Sequence, residues 1–372
     1  MSLVEKLTSI KTNLDNAMSD INTALIAKGA TEVTSLADVP TAIESVQSGG
    51  SGEIGKPYLD MRLIKHWGGF FSTQLIEWST SNVETRLELL PLIDTSAATD
   101  FTGMFQWCST LTSIPLLDTS NGVTFHTMFY NCSNLTEIPQ LDTSNGTSFY
   151  RMFHGCKNLT EIPLLDTSNG ITFYEMFLGC TSLTEIPLFD TSNATSTYGM
   201  FYNCSNLTTI PQLDLSKTDT CYAMFYNCTS LTSVPELNTS NSSNFQGMFQ
   251  GAGKLTTIPL LDTSNGTNFK TTFYNCNQLK SLRITTVNSD MSTSTFNGCK
   301  SLTDMTIGEG FAHSIYLNYS NNLTQESLHG MIENLADLTG NESKYFTIGS
   351  TNLAKIDEEH IAMLNTKNWT YS

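Results

Sequence analysis

Cysteine is the residue type whose spacing in this sequence first suggests chemistry. Eight of the nine cysteines form one column with a spacing of 24 residues, apart from one missing copy at Ala252 and a last interval that is one residue shorter. Structural zinc sites usually show two close ligand pairs such as C-x2-C, and none occurs here. The column therefore predicts a ladder of buried, reduced thiols that fill space, with no metal site. Its members are Cys108, Cys132, Cys156, Cys180, Cys204, Cys228, Cys276 and Cys299.

A column of acidic residues follows the same period. Most of its members begin a D-T-S-N segment, where an aspartate accepts hydrogen bonds from the backbone N–H groups just after it. Calcium that bridges neighbouring repeats is the alternative, because hard cations prefer carboxylate and hydroxyl oxygens. Asn238 keeps the capping geometry without the charge and so favours capping over metal. The column comprises Asp94, Asp118, Asp142, Asp166, Asp190, Asp214 and Asp262.

Catalytic patterns are missing from the sequence. The six histidines are scattered, and neither G-x-S-x-G, H-E-x-x-H, a P-loop nor G-x-G-x-x-G occurs. We therefore expect a protein that is not an enzyme, with no catalytic residues and no cofactor.

The unit that positions these columns reads L-T-x-I-P-x-L-D-T-S-N-G-x-x-F-x-x-M-F-x-x-C and recurs about eight or nine times. Its L-T-x-I-P-x-L part, as in 135–141, suits one brief strand, and D-T-S-N-G is typical of a turn. Phe149, Met152, Phe153 and Cys156 lie at i, i+3, i+4 and i+7, which predicts a short helix. Stacked strand-turn-helix units predict an α/β solenoid with a parallel sheet.

This unit resembles leucine-rich repeats, and more closely the BspA-like bacterial subtype, from Leu89 to about Met305. The resemblance implies a right-handed coil of units that repeat at the cysteine spacing. We place the solenoid at 94–304 and predict caps at 57–93 and 305–372, because an open end would expose the core. In the C-terminal cap, residues 327–336 and 358–365 are predicted as helices, and residues 345–348 and 369–371 as strands.

The N-terminal segment, 1–47, carries apolar residues that alternate by four and three, which is the seam of a coiled coil. A Gly/Ser linker over 48–56 follows it. We expect this helix to attach the protein or to oligomerise it, with a trimer favoured; a monomeric amphipathic helix folded back on the cap is the alternative. The oligomerisation residues are Leu3, Leu7, Ile10, Leu14 and Ile21.

Two surfaces are candidates for ligand binding. Tyrosines recur at one position of the unit and again four residues later, and stacked repeats would arrange them in a stripe suited to sugar rings or to apolar partners. Shielding the edge of the core is the alternative role. The stripe comprises Tyr130, Tyr150, Tyr174, Tyr198, Tyr202, Tyr222 and Tyr226. On the sheet face, Glu137, Glu161 and Glu185 form an acidic patch that would attract cations or a basic partner, or would simply be solvated.

Charge and hydropathy exclude several partner classes. With 18 Lys+Arg against 35 Asp+Glu, the net charge is −17, which argues against nucleic acid and against anionic membranes. No apolar run approaches a membrane span, so no membrane insertion is expected, and residues 1–21 lack the apolar core of a secretory signal.

A second resemblance concerns both ends of the chain. The A-K-G segment at 27–29 with L-A-D-V-P at 36–40, and L-T-Q-E-S-L at 323–328, resemble tail-associated proteins of phages of Gram-positive hosts. This resemblance implies a virion tail fibre or receptor-binding protein that contacts other tail proteins through the N-terminal helix and recognises a bacterial surface glycan or protein through the solenoid. The alternatives are a BspA-like adhesin at the bacterial cell surface, which binds host proteins, and a purely structural spacer.

Overall fold

The computed structural model describes residues 95–114 and 116–372. The predicted coiled coil over 1–47, the linker over 48–56 and the N-terminal cap over 57–93 lie outside these residues, as does Asp94. The five residues predicted to mediate oligomerisation, from Leu3 to Ile21, lie outside them too.

The core of the protein is built from the same side chains in each repeat. Phe149, Met152, Phe153 and Cys156 are completely buried, and so are their counterparts in the preceding and the following repeat. Each buried phenylalanine ring stacks on its counterpart; the Phe129–Phe153 ring centroids, for example, are 5.4 Å apart. The buried apolar residues form one contiguous cluster from Ala98 to Trp369, so each repeat depends on its neighbours for a complete core.

The apolar segment 149–156, predicted to be a short helix, is a succession of tight turns. The prediction of a helix in each repeat is wrong: among the described residues, helices occur only beyond residue 324. Arg151 and Gly155 have φ values of 52° and 75°, and such left-handed residues interrupt any right-handed helix. The side chains at i, i+3, i+4 and i+7 are nevertheless all buried, as a helix would also place them.

The backbone of this turn segment hydrogen-bonds alternately within its repeat and to the next repeat. The N–H of Arg151 donates to the carbonyl of Tyr174 at 2.9 Å, and the N–H of Gly155 donates to Leu178 at 2.7 Å. Between them, the N–H of His154 donates back to Arg151 at 3.2 Å. A helix would satisfy its N–H groups internally. The turn segment instead uses alternate N–H groups to join neighbouring repeats.

Three continuous strands form a parallel sheet at the end of the repeat array, in the order β1–β2–β3. They are β1 (Thr257–Leu261), β2 (Ser281–Ile284) and β3 (Asp304–Thr306). The parallel sheet is thus confirmed for these repeats. Over 116–256 only isolated bridges occur, and the strand predicted over 135–141 is not a continuous strand.

Proline explains where continuous strands form. Pro139 sits in the middle of the predicted strand, where it has no N–H to donate to a neighbouring chain. In β2 the position that corresponds to Pro259 of the preceding repeat is Arg283, which retains its N–H, and here a regular ladder forms. In β1, the strand that pairs with β2, the register shifts between Ile258 and Leu260, on either side of Pro259.

The C-terminal region combines helices with a second parallel sheet, ordered β4–β5–β6. The helices and strands predicted there are confirmed, with ends displaced by only one or two positions. No helix in the described part of the chain is long and apolar enough to span a membrane. The elements are β4 (Ile315–Tyr316), α1 (Gln325–Asn334), β5 (Lys344–Thr347), α2 (Ser350–Leu353), α3 (Glu358–Thr366) and β6 (Trp369–Tyr371).

Candidate binding surface

Four tyrosines at the same position of successive repeats form a continuous stack, which we call the tyrosine ladder: Tyr150, Tyr174, Tyr198 and Tyr222. Their ring centroids are 5.0, 4.5 and 4.5 Å apart along the series, with planes inclined by 14° or less. His126 extends the series at 4.3 Å from Tyr150. All four rings are half-buried. Because neighbouring rings cover each other's faces, the accessible parts of the ladder are ring edges with their hydroxyls.

The second tyrosine position, four residues later in each repeat, is divided into two pairs. Tyr202 and Tyr226 stack with centroids 4.4 Å apart. Tyr130 stacks on His154 at 4.6 Å. Leu178 occupies the same position in the repeat between these pairs. The structure therefore brings the seven predicted tyrosines together as one ladder and two shorter stacks, and the predicted single stripe is interrupted.

A charged cluster lies beside the first half of the ladder. Arg151 Nε is 2.7 Å from Glu175 Oε2, and His154 Nδ1 is 3.4 Å from the same oxygen. The Arg151 guanidinium carbon is 5.0 Å from the ring centroid of Tyr150 and 5.5 Å from that of Tyr174, within the range of a cation–π interaction. Glu175 is only 8% exposed. Burial raises the pKa of this carboxyl, but hydrogen bonds and charge from His154 and Arg151 outweigh burial and hold the pKa below its usual value.

Small residues replace this charged cluster in the second half of the ladder. Gly199 and Ala223 occupy the repeat positions that Arg151 and Glu175 hold earlier in the chain. In the sequence, each lies between a ladder tyrosine and a tyrosine of the Tyr202–Tyr226 pair. These two positions in the second half of the ladder therefore carry no charged side chain, although Glu175 of the preceding repeat lies beside Gly199.

Two of the ladder hydroxyls, those of Tyr174 and Tyr198, have a raised pKa and remain protonated at neutral pH. Burial, and then the neighbouring hydroxyls of Tyr222 and Tyr174, raise the pKa of Tyr198 far above its usual value. Burial also raises the pKa of Tyr174, with the charge of Glu175 next in effect. A protonated phenol both donates and accepts hydrogen bonds, so the hydroxyls of Tyr174 and Tyr198 can do either.

The sheet face is exposed as the sequence predicts. Glu137, Glu161 and Glu185 are all exposed. The neighbouring column exposes large apolar side chains, with Leu116 at 74% and Leu188 at 62% exposed, and with Leu164 and Leu260 also exposed. Exposed apolar side chains among acidic ones are typical of a protein-binding surface.

The predicted ladder of buried thiols is confirmed. All nine cysteines are free and buried. The Cys156 thiol donates to the carbonyl oxygen of Phe129 in the preceding repeat at 3.1 Å, and the other members of the column beyond Cys108 make the equivalent bond. Burial raises the pKa of Cys180 to about 12. Cys221, outside the column, instead lies 3.1 Å from the Ser242 hydroxyl.

We expect these nine thiols to be inert in the folded protein. Thiol–disulfide exchange requires the thiolate, and burial disfavours that form. With 5,5′-dithiobis(2-nitrobenzoate) at pH 8, the native protein should release almost no chromophore over minutes, whereas the protein in guanidinium chloride should react at all nine sites. Rapid native reaction of several thiols would contradict the buried ladder.

The aspartate column caps turns, as predicted. Asp142 Oδ1 accepts hydrogen bonds from the Ser144 N–H at 3.0 Å and from the Ser144 hydroxyl at 2.7 Å, and these bonds lower the pKa of Asp142. Asn238 makes the same two bonds with Ser240. Calcium bridging between repeats stays a prediction.

The contact that sequence reasoning missed is the cluster of Arg151, Glu175 and His154. The sequence does indicate this contact, because Arg151 and Glu175 carry opposite charges and occupy the same position of adjacent repeats.

Comparison with known protein families identifies the repeats. Residues 216–324 match the family described as BspA type leucine rich repeat region (6 copies). Residues 64–160 and 134–235 match the family described as Mycoplasma protein of unknown function, DUF285. No curated protein matches the chain. Residues 216–324 are therefore similar to a BspA-type leucine-rich repeat region, and the fold is a repeat solenoid.

Several solved structures are similar to this chain at low sequence identity. A leucine-rich repeat protein from Bacteroides ovatus is 19% identical, over 60% of this chain and 68% of that one, with a TM-score of 0.34. The TLR13–ssRNA13 complex is 16% identical, over 62% of this chain and 37% of that one, with a TM-score of 0.28. The plant peptide hormone receptor RGFR1 in complex with RGF2 is 13% identical, over 77% and 52%, with a TM-score of 0.25.

Proposed function

We propose that this protein is a non-enzymatic recognition protein of the surface or adhesin type, whose solenoid binds a bacterial cell-surface glycan along the tyrosine ladder. The observation that carries the proposal is the row of stacked, half-buried tyrosines that ends beside the small residues Gly199 and Ala223. The BspA-type repeat region supports a role at a surface.

The ladder suits a hydroxyl-rich ligand because of how its rings are packed. The ring faces inside the ladder are covered by their neighbours at 4.5 to 5.0 Å, so sugars would bind to ring edges and hydroxyls rather than stack on faces. Stacked rings are already ordered, so binding would cost little further side-chain entropy. Phenol hydroxyls would exchange hydrogen bonds with sugar hydroxyls, and a net charge of −17 would disfavour anionic polymers.

A second mode of recognition is favoured by the sheet face. Leu164 and Leu188 are exposed in successive repeats, and each closely follows an exposed glutamate, Glu161 or Glu185, in the sequence. Such a surface suits a protein ligand with an apolar centre and basic edges. In this mode the tyrosine ladder would serve only to shield the edge of the core.

We also propose how the solenoid coils and how the N-terminal segment attaches it. We take the solenoid to be a right-handed coil with one repeat per turn, and residues 1–47 to form a coiled coil that trimerises the chain. In the tail-fibre version, this segment attaches to other tail proteins of a phage or prophage particle, whereas in the adhesin version the protein acts at the bacterial cell surface. Neighbouring genes of tail type would favour the virion, and an upstream secretion signal would favour the cell surface.

The ladder hydroxyls are tested by the double variant Tyr198→Phe/Tyr222→Phe, which keeps the stacked rings and removes two hydroxyls. On an array of bacterial surface glycans, we expect the wild-type protein to bind at least one glycan and the variant to bind it about 10- to 30-fold more weakly, because each lost hydrogen bond contributes about 1 kcal/mol. Affinities would be measured by titration of the glycan that gives the strongest signal.

The matched control is Leu164→Ser/Leu188→Ser, which changes the sheet face and leaves the ladder intact. This control should bind the glycan as the wild type does. Equal glycan binding by the phenylalanine variant, or no binding by the wild type to any glycan, would refute glycan recognition at the ladder. Loss of binding only in the serine variant would place the site on the sheet face.

A further inference from the structure

Two histidines from different helices meet in the C-terminal region, far along the chain from the tyrosine ladder. His329 lies on α1 and His360 lies in the first turn of α3. Their imidazole rings are stacked, with centroids 3.6 Å apart and planes inclined by 16°. Such close stacking is unfavourable when both rings are protonated, because like charges would then lie in contact. Imidazole nitrogens are also common ligands of transition metals.

A carboxylate accompanies each histidine on its own helix. Glu333 follows His329 by one helical turn on α1, and Asp357 precedes His360 as the N-cap of α3. His329 Nε2 is 3.6 Å from Asp357 Oδ2, and His360 Nδ1 is 2.7 Å from Asp357 Oδ1. On its other side, His360 Nε2 is 3.6 Å from Glu333 Oε1. Spacings of i, i+4 and i, i+3 place each pair on one face of its helix.

Two nitrogen atoms of this cluster lack hydrogen-bond partners. His329 Nε2 and His360 Nε2 are both buried, and neither makes a hydrogen bond with the described residues. His360 as a whole is only 8% exposed. A buried polar nitrogen without a partner is costly. An ion would satisfy His329 Nε2, whereas Glu333, 3.6 Å away, is the group that would satisfy His360 Nε2.

We propose that His329, Asp357 and His360 bind a divalent transition-metal ion of the zinc class. One donor atom from each residue can be chosen so that all three lie within 4.8 Å of one another. Ligands of a tetrahedral zinc ion, with bonds of about 2.0–2.1 Å, lie roughly 3.3 Å apart. The distances from the Asp357 carboxylate, 3.6 Å from Oδ2 to His329 and 2.7 Å from Oδ1 to His360, lie on either side of that value, so the side chains must rotate to enclose an ion.

In this site each side chain has a distinct role. His329 binds through Nε2, Asp357 through a carboxylate oxygen, and His360 through Nδ1, where the metal replaces the proton now shared with Asp357. His360 Nε2–H then donates to Glu333, which acts as a positioning residue in a carboxylate–histidine–metal arrangement. Two imidazoles and one carboxylate favour zinc, nickel or copper over calcium or magnesium, which prefer oxygen ligands alone. The metal would join α1 to α3.

The test uses the full-length chain, stripped of metal with a chelator and dialysed against zinc chloride. We expect the wild-type protein to retain one zinc ion per chain in elemental analysis, and His329→Asn/His360→Asn to bind zinc at least tenfold more weakly in calorimetric titration. Both proteins keep all nine cysteines, so the difference between them excludes thiols as the ligands. His313→Asn is the matched control, because His313 lies beside Asp290, outside the cluster. This variant should bind zinc as tightly as the wild type does.

Two further measurements separate metal binding from a structural effect. Asp357→Asn keeps an N-cap residue for α3 but removes the carboxylate, so it should fold normally and bind zinc more weakly. Saturating zinc should raise the unfolding temperature of the wild type and leave that of the double histidine variant unchanged. Glu333→Gln should weaken binding about tenfold or more. Equal zinc retention by the wild type and Asp357→Asn, or no retention by the wild type, would overturn the proposal.

Discussion

Replacing Phe177 by alanine is expected to lower the free energy of unfolding by about 3–5 kcal/mol. The Phe177 side chain is completely buried in the middle of the repeat array. Its ring centroid is 5.6 Å from those of Phe153 and Phe201, and 5.7 Å from that of Phe189. Removing the ring leaves a cavity that interrupts a stack shared by three repeats, and the packed neighbours can close it only in part.

The matched control is Leu188→Ala in the next repeat. Leu188 is 62% exposed on the sheet face, so its truncation should change the free energy of unfolding by less than about 0.5 kcal/mol. Guanidinium chloride denaturation followed by circular dichroism measures both variants. If the two substitutions had equal effects, the phenylalanine stack would not be the main source of cohesion between repeats.

The sequence predicts the core well because the same residue types recur at the same positions. Phe153 and Cys156 lie exactly one repeat before Phe177 and Cys180, and any stacked arrangement brings such columns into contact. The same regularity predicts the buried thiols and the exposed sheet-face glutamates. Regular strands could not be predicted from one repeat, because pairing depends on the residues of two neighbouring repeats. Among the described repeats, a continuous pair of strands forms only where Arg283 takes the place of the proline in one of the two repeats, and its other strand, β1, still contains Pro259.

Side-chain orientation at the candidate site could not be read from spacing. The column of Tyr150, Tyr174, Tyr198 and Tyr222 was predictable, but the rings could have presented either their faces or their edges to solvent. Stacking at 4.5 to 5.0 Å covers the faces, and this changes the kind of ligand contact that the surface can make. The ion pair of Arg151 with Glu175 depends on the same register and is visible only when adjacent repeats are compared.

The predicted helix failed because its apolar spacing fits two backbone conformations. The residues at i, i+3, i+4 and i+7 are buried both on a helix and in the turn segment found here. The deciding signal is the column immediately before the cysteine column, which holds Asn or Gly in every described repeat except the one with Trp107. These residues adopt positive φ and are Asn131, Gly155, Gly179, Asn203, Asn227, Gly251, Asn275 and Gly298. Asn and Gly are the residues that tolerate this conformation at least cost.

Replacing Gly155 by alanine should therefore destabilise the protein by about 2–4 kcal/mol. Gly155 has a φ of 75°, where a Cβ is unfavourable, and the added Cβ would collide with the Asn131 side-chain oxygen of the preceding repeat. The Asn131 side chain would have to rotate away to relieve that collision, and the cost of the left-handed φ would remain. Thermal and guanidinium denaturation measure the loss.

The same substitution at Gly330 is expected to have the opposite effect on the stability of the protein. Gly330 lies in α1 with open space around the position of a Cβ, so alanine there should stabilise the protein by about 0.5–1 kcal/mol. The pair of variants separates the two backbone conformations with one chemical change, because a helical residue gains from alanine and a left-handed residue loses. A stabilising effect at Gly155 would mean that its segment is helical and that neighbouring repeats are not joined through its backbone.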